Sequence, residues 1–142
     1  MIWFKEFTPE QLNNRPKNHI GALLGIEFTE VGADYLVATM PVDERTHQPA
    51  GILHGGASVV LAETLGSIAS YMCINPDKHI AVGLEVNANH IRPVSSGLVK
   101  GICKPLHIGA KTHLWEIKLY TDKGKMNCVS RLTVAILPKP QG

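Results

Sequence analysis

Between Arg45 and Asp77 the only formally charged side chain is Glu63, set in an otherwise apolar and small-residue run. Placed on a buried helix, a lone carboxylate is costly to keep ionised unless something compensates. Just upstream, His54-Gly55-Gly56 opens the same run with bare backbone N–H groups. A helix start of this kind polarises a carbonyl oxygen, because its first N–H groups lack intrahelical partners and carry the positive end of the dipole. At 3.6 residues per turn Glu63 shares a helix face with Val59, Ser67 and Ser70, so Ser67 can hold a substrate or a water beside the carboxylate. Gln48 is a neutral amide donor in a Pro-flanked loop. An oxyanion-binding helix start followed by a carboxylate suits hydrolysis of an activated acyl group.

Each of these residues also has a plainer reading. Glu63 could cap or bridge to a basic residue, Ser67 could be a small packing residue, and Gly55 and Gly56 could serve a tight turn. His54 could be an ordinary N-cap. Other chemistries find less support. The seven histidines (His19, His47, His54, His79, His90, His107, His113) show no metal-binding spacing, so no metal site is expected. There is no G-x-S-x-G elbow and no phosphate-binding glycine loop. Cys73 has no evident base, which argues against a cysteine nucleophile. Arg92, Lys100, Lys104 and Lys111 are read near strand ends or turns, as a solvated rim or as phosphate ligands.

The elements that must position these groups follow from the pattern. Thr8 and Pro9 read as the N-cap and first residue of a short helix. Residues 19–31 read as a turn leading into a first strand, and Tyr35–Met40 as a second strand stopped by Pro41. The segment 42–53 reads as an ordered loop. Residues 55–74 read as one long helix, since so long a stretch without Pro exceeds usual strand length. Four strands follow: His79–Asn89, Gly97–Pro105, Thr112–Thr121 and Met126–Leu137. Turn chemistry at 93–97, 107–110 and 122–124 separates them. Consecutive strands imply an antiparallel sheet wrapping one hydrophobic helix, an α+β layout.

Bulk properties bound the answer. The chain has 142 residues, enough for one domain, residues 1–142, and too few for two. A net charge of +2 without charge runs argues against nucleic acid and fits a small anionic ligand. No stretch reads as long and apolar enough to cross a bilayer, and Met1–Glu6 has no signal-peptide plan, so no membrane association is expected. Three cysteines without C-x-x-C spacing point to reduced thiols in the cytoplasm.

The run Gln48-Pro49-x-Gly51-x-Leu53-His54-Gly55-Gly56-x-Ser58-x-x-Leu61-Ala62-Glu63-x-x-Gly66-Ser67 resembles the signature of the hotdog-fold acyl-CoA thioesterases. Within them it is similar to the branch whose catalytic carboxylate lies on the central helix. That branch holds the 1,4-dihydroxy-2-naphthoyl-CoA thioesterases of menaquinone synthesis and the proofreading thioesterases of enterobactin synthesis. Gly83–Pro93 and Ser130–Thr133 match it too. The resemblance implies a long central helix wrapped by a five- to six-stranded antiparallel sheet.

It also implies roles. Glu63 would be nucleophile or general base, the Gly55 N–H would polarise the thioester carbonyl, and Gln48 would support it. His54 would hold the thioester or assist the leaving thiolate, and Ser67 would position water or the acyl ring. Gly83, His90, Ile91, Arg92 and Pro93, with His107, Ile108, Gly109, Ala110, Lys111 and Thr112, would contact the CoA nucleotide and pantetheine arm. Sites would lie at the dimer interface of a homotetramer, a dimer of dimers, with no cofactor and no metal. The implied activity is hydrolysis of an aromatic acyl-CoA to acid and CoA. A broad proofreading thioesterase acting on acyl-CoA or aryl-carrier-protein thioesters is the alternative. A hotdog dehydratase and a non-catalytic acyl-CoA-binding module are the remaining readings, told apart by a thiol-release assay.

Overall fold

A computed structural model describes residues 1–141. Helix α1 (Pro9–Asn13) begins as the sequence predicts: the Gln11 N–H donates to Thr8 Oγ1 (3.2 Å) and the Thr8 N–H to the Gln11 side chain (3.0 Å), a capping box. The expected turn at 19–31 contains a one-turn helix, α2 (Ile20–Leu23), capped by the His19 ring. Strands β1 (Glu27–Val31) and β2 (Leu36–Pro41) follow, and Pro41 is the last strand residue, opposite Leu98, rather than a stop before it. Then come the long helix α3 (Gly55–Cys73) and strands β3 (His79–His90), β4 (Leu98–Ile108), β5 (Thr112–Tyr120) and β6 (Met126–Pro138). Strand β4 runs past Pro105 because an irregularity between Pro105 and His107 accommodates the missing donor, so His107 and Ile108 are strand residues.

All six strands form one antiparallel sheet in the order β1-β2-β4-β5-β6-β3. Helix α3 lies on its inner face. Leu61, Leu65 and Met72 of the helix are fully buried, as are Leu36, Met40, Val99, Trp115, Ile117, Leu119, Leu132 and Val134 of the sheet. Burying each such side chain contributes about 1.5–3 kcal/mol. The helix comes so close to β6 that a Cβ at Gly66 would stand 2.5 Å from Leu132 Cδ2.

Contrary to the sequence expectation, α3 is by length and composition apolar enough to cross a membrane, although half of that stretch is buried inside the chain. Its place here is the core of a sheet-wrapped fold. Strand β3 takes one edge of the sheet, paired to β6 on one side only. Val82 and Leu84 on it are exposed.

Candidate active site

The helix start is built by the loop before it. Thr46 is buried, and its Oγ1 donates to Pro41 O (2.7 Å). The His54 N–H returns to Thr46 O (2.8 Å), while the Leu53 N–H reaches Val94 O (2.7 Å). Gly51, at φ 78°, makes the tight turn between them. His54 is thereby held as N-cap, with its Nδ1 accepting from the Gly56 N–H at 2.8 Å. The sequence suggests two open glycine N–H donors, but His54 consumes the second. The Gly55 N–H is left without an acceptor among the described residues. The His90 ring presses on this glycine: a Cβ at position 55 would meet His90 Nε2 at 2.8 Å. A groove opens here, lined by Leu53, Gly55, Ser58, His90, Arg92 and Asn127 among others, including Ile91 and Pro93. Arg92 is anchored on its rim, its Nε donating to Met126 O at 2.9 Å.

Glu63 is not buried, contrary to the sequence expectation. It is exposed on the flank of α3 beside edge strand β3, with no hydrogen bond or ion pair among the described residues. The small and apolar residues of this run lie on both helix faces, so composition alone did not show which face the sheet covers. Glu63 lines a second groove with Val60, Thr64, Ser67 and Ile68 of α3 and Ile20 of α2. Ser67 is thus beside it, as expected, whereas Ser70 on the same helix face is fully buried. The carboxylate lies against Gly83 of β3, where a Cβ would come within 2.9 Å of Glu63 Oε2. The ladder is irregular between Gly83 and Glu85, and the bare backbone admits the side chain.

The two grooves share no lining residue. Gly55 and Glu63 are eight positions apart on one helix, on the order of 12 Å along its axis. One thioester carbonyl cannot touch both within a single chain. Gln48 lines neither groove; its Oε1 accepts from the Ala50 N–H, leaving the amide N–H groups as donors the loop does not use. The helix start and Gln48 of the same chain therefore do not stabilise the Glu63 charge.

The residues assigned to the CoA arm divide in the same way. His90–Pro93 belong to the Gly55 groove. The His107–Thr112 segment sits at the other end of the sheet: Thr112 faces Ala135, which faces Val82, whereas His90 faces Cys128. The eight steps from Val82 to His90 span roughly 26 Å of strand. Gly83 and the β4–β5 turn thus lie toward the Glu63 end. Of the other basic residues, Lys100 and Lys104 lie within β4 rather than at its end, and Lys104 stands over the Tyr35 ring at 6.0 Å. All three cysteines are free, and burial pushes the Cys73 thiol up to about 12, so it holds no thiolate near neutral pH.

Two features had no readable signal in the sequence. One is Asn127 in the Gly55 groove. The other is a buried bridge in which the Trp115 Nε1–H donates to Ser70 Oγ (2.7 Å) and Ser70 Oγ meets His113 Nδ1 (2.9 Å). A single Asn near a turn and a Ser in a small-residue helix are both ordinary in composition.

Residues 50–128 match the family model of the thioesterase superfamily. Among curated proteins, the chain is 51% identical over 137 residues to 1,4-dihydroxy-2-naphthoyl-CoA hydrolase of Escherichia coli (strain K12), covering 96% of this chain and all of that protein. It is 50% identical to proofreading thioesterase EntH of Cronobacter turicensis, covering 96% and 99% respectively. Among solved structures, a mutant of thioesterase PA1618 from Pseudomonas aeruginosa superposes with a TM-score of 0.96 at 52% identity, over 98% of this chain and all of that one. The chain belongs to the thioesterase superfamily. It is a thioester hydrolase with the hotdog fold, its six-stranded sheet wrapping the central helix.

Proposed function

We propose that this enzyme hydrolyses acyl-CoA thioesters at sites built between two copies of the chain. The observation that carries this reading is the separation of the Gly55 N–H from Glu63 into two grooves on one helix. A thioester seated with its carbonyl on the Gly55 N–H of one copy meets the Glu63 carboxylate of the second. Glu63 attacks the carbonyl carbon directly or through a water, and the developing oxyanion is stabilised by the Gly55 N–H and by Gln48 of the first copy. His54 orders the helix start and helps the thiolate leave, while Ser67 positions water or acyl group beside Glu63. His90–Pro93 of one copy and Gly83 with His107–Thr112 of the other hold the CoA arm. Edge strand β3 supplies the contact: its unpaired backbone and exposed Val82 and Leu84 suit pairing with a second copy, and two such dimers complete a tetramer.

The acyl group is proposed to be aromatic, of the hydroxybenzoyl or dihydroxynaphthoyl kind, in line with the E. coli relative's name. The Cronobacter relative's name favours a second reading, a proofreading thioesterase with a broad acyl range that extends to carrier-protein thioesters. Three free thiols fit a reducing cytoplasm as the place of action. Thiol release from a panel of aryl, aliphatic and carrier-protein thioesters tests all of this. A dominant kcat/KM for one aryl-CoA supports the first reading, comparable values across the panel support the second, and no thiol release from any refutes both.

A further inference from the structure

A cavity of about 270 Å³ adjoins the Glu63 groove, between α1, α2, β1 and α3. Ile20 of α2 and Thr64 of α3 line both spaces. Thr64 follows Glu63 directly and is turned about 100° further round the helix axis. The two side chains therefore lie on different flanks of α3: Glu63 against Gly83 of β3, Thr64 beside α2. Leu12 and Phe28, both buried, give the cavity apolar walls together with Ile26. Asn13 fixes that wall, its side-chain amide donating to Phe28 O and accepting from the Phe28 N–H, both at 2.8 Å. Arg15, Lys17 and Glu27 also line the space, and none forms an ion pair among the described residues. Sites that hold a whole small molecule measure roughly 300–1,000 Å³, so this one suits part of a ligand whose remainder lies in the adjoining groove.

We propose that this cavity receives the part of the acyl group that extends beyond its first ring, and that Ala22 and Thr64 set how large an acyl group is accepted. This placement rests on the reading that Glu63 attacks the thioester carbon. That carbon carries two substituents, the sulfur and the acyl carbon, which leave it in different directions. With the CoA arm assigned to Gly83 and the β4–β5 turn, on the β3 flank of Glu63, the acyl group is directed across Ser67 and Val60 toward α2. A first ring covers the groove, and whatever is attached beyond it passes between Ile20 and Thr64. There a second ring buries apolar surface against Ile26 and Phe28, while ring hydroxyls meet the donors of Arg15 and Lys17 and the acceptor of Glu27.

The test compares benzoyl-CoA with 2-naphthoyl-CoA, which share the thioester and the CoA arm and differ only by the second ring. Ala22 lines the cavity but not the Glu63 groove, so Ala22→Leu fills the space assigned to that ring. The ratio of kcat/KM for the two-ring over the one-ring ester is expected to fall about tenfold in this variant. Thr64→Leu narrows the passage and should lower the same ratio; it decides if Ala22→Leu fails to fold. An unchanged ratio, or dissociation of the oligomer on sedimentation, overturns the proposal, the latter by placing these residues against the partner copy. If the wild type releases thiol from no acyl-CoA, the function reading fails, and the Kd values of the two esters then judge this inference separately. A ratio of Kd values shifted about tenfold against 2-naphthoyl-CoA in Ala22→Leu supports the cavity as the place of the second ring, and an equal ratio overturns it.

Discussion

Glu63, the proposed catalytic carboxylate, is held without stabilising the fold. It has no partner among the described residues and stands exposed beside Ser67, so its removal leaves the core untouched. Glu63→Ala and Glu63→Gln are expected to melt with the wild type while losing turnover by orders of magnitude. Near wild-type thiol release from purified Glu63→Ala would refute the assignment. The rim cations are assigned to a different step, substrate binding. Arg92 and Lys111 are exposed near opposite ends of the sheet, and the proposed two-copy site would bring both to the charged nucleotide end of CoA. Substituting either by Ala should raise KM for CoA esters and spare kcat; an equal rise for a pantetheine thioester without the nucleotide would contradict this. The candidate site residues could be picked out because carboxylate, helix start and small residues fall at motif spacing. The exposure of Glu63 was not, since a helix apolar on most sides does not announce which face the sheet takes. The burial of Asn127 was illegible because it goes with a bulge set by strand pairing.

Among the elements, the long helix and the four later strands could be read from period and turn chemistry, with boundaries within a few residues. Helix α2 is a single turn capped by a His side chain, too short for periodicity to report. The extension of β4 beyond Pro105 depends on a bulge that pairing alone creates. What ties α3 to β5 is equally non-local: Ser70, His113 and Trp115 form a buried hydrogen-bonded bridge between them. Ser70→Ala leaves the Trp115 N–H and His113 Nδ1 without their partner, and should cost about 1–3 kcal/mol, read as a lower Tm.

The same bridge carries a pH dependence. Burial, with the nearby His107 charge adding to it, holds the His113 pKa below its usual 6.5. The folded chain therefore takes up this proton less readily than the unfolded chain. The His113 contribution is fully present above the unfolded pKa and is lost as pH falls through it toward the lowered folded value. In thermal melts, His113→Gln should show a shallower fall in Tm than the wild type from about pH 7 to about pH 5. A parallel fall in both would contradict the assignment.

For the molecule as a whole, the sheet ends on a twelve-residue strand, β3, with one unpaired edge. Long exposed edges invite pairing with another chain. Leu84 is 61% exposed on that strand in the single chain. Leu84→Lys should shift the sedimenting species toward monomer and lower activity with it, while the far-ultraviolet spectrum stays native. The central claim is that Glu63 of one copy works on a carbonyl held by Gln48 and Gly55 of another, and subunit complementation tests it most directly. Glu63→Ala and Gln48→Ala, each inactive alone, are unfolded together, refolded as an equal mixture and assayed for thiol release. If each site draws on both chains, every mixed dimer contains one intact site, and the mixture recovers about a quarter of wild-type activity. If Glu63 and Gln48 act within one chain, no intact site can form, and a mixture as inactive as its parents would contradict the account.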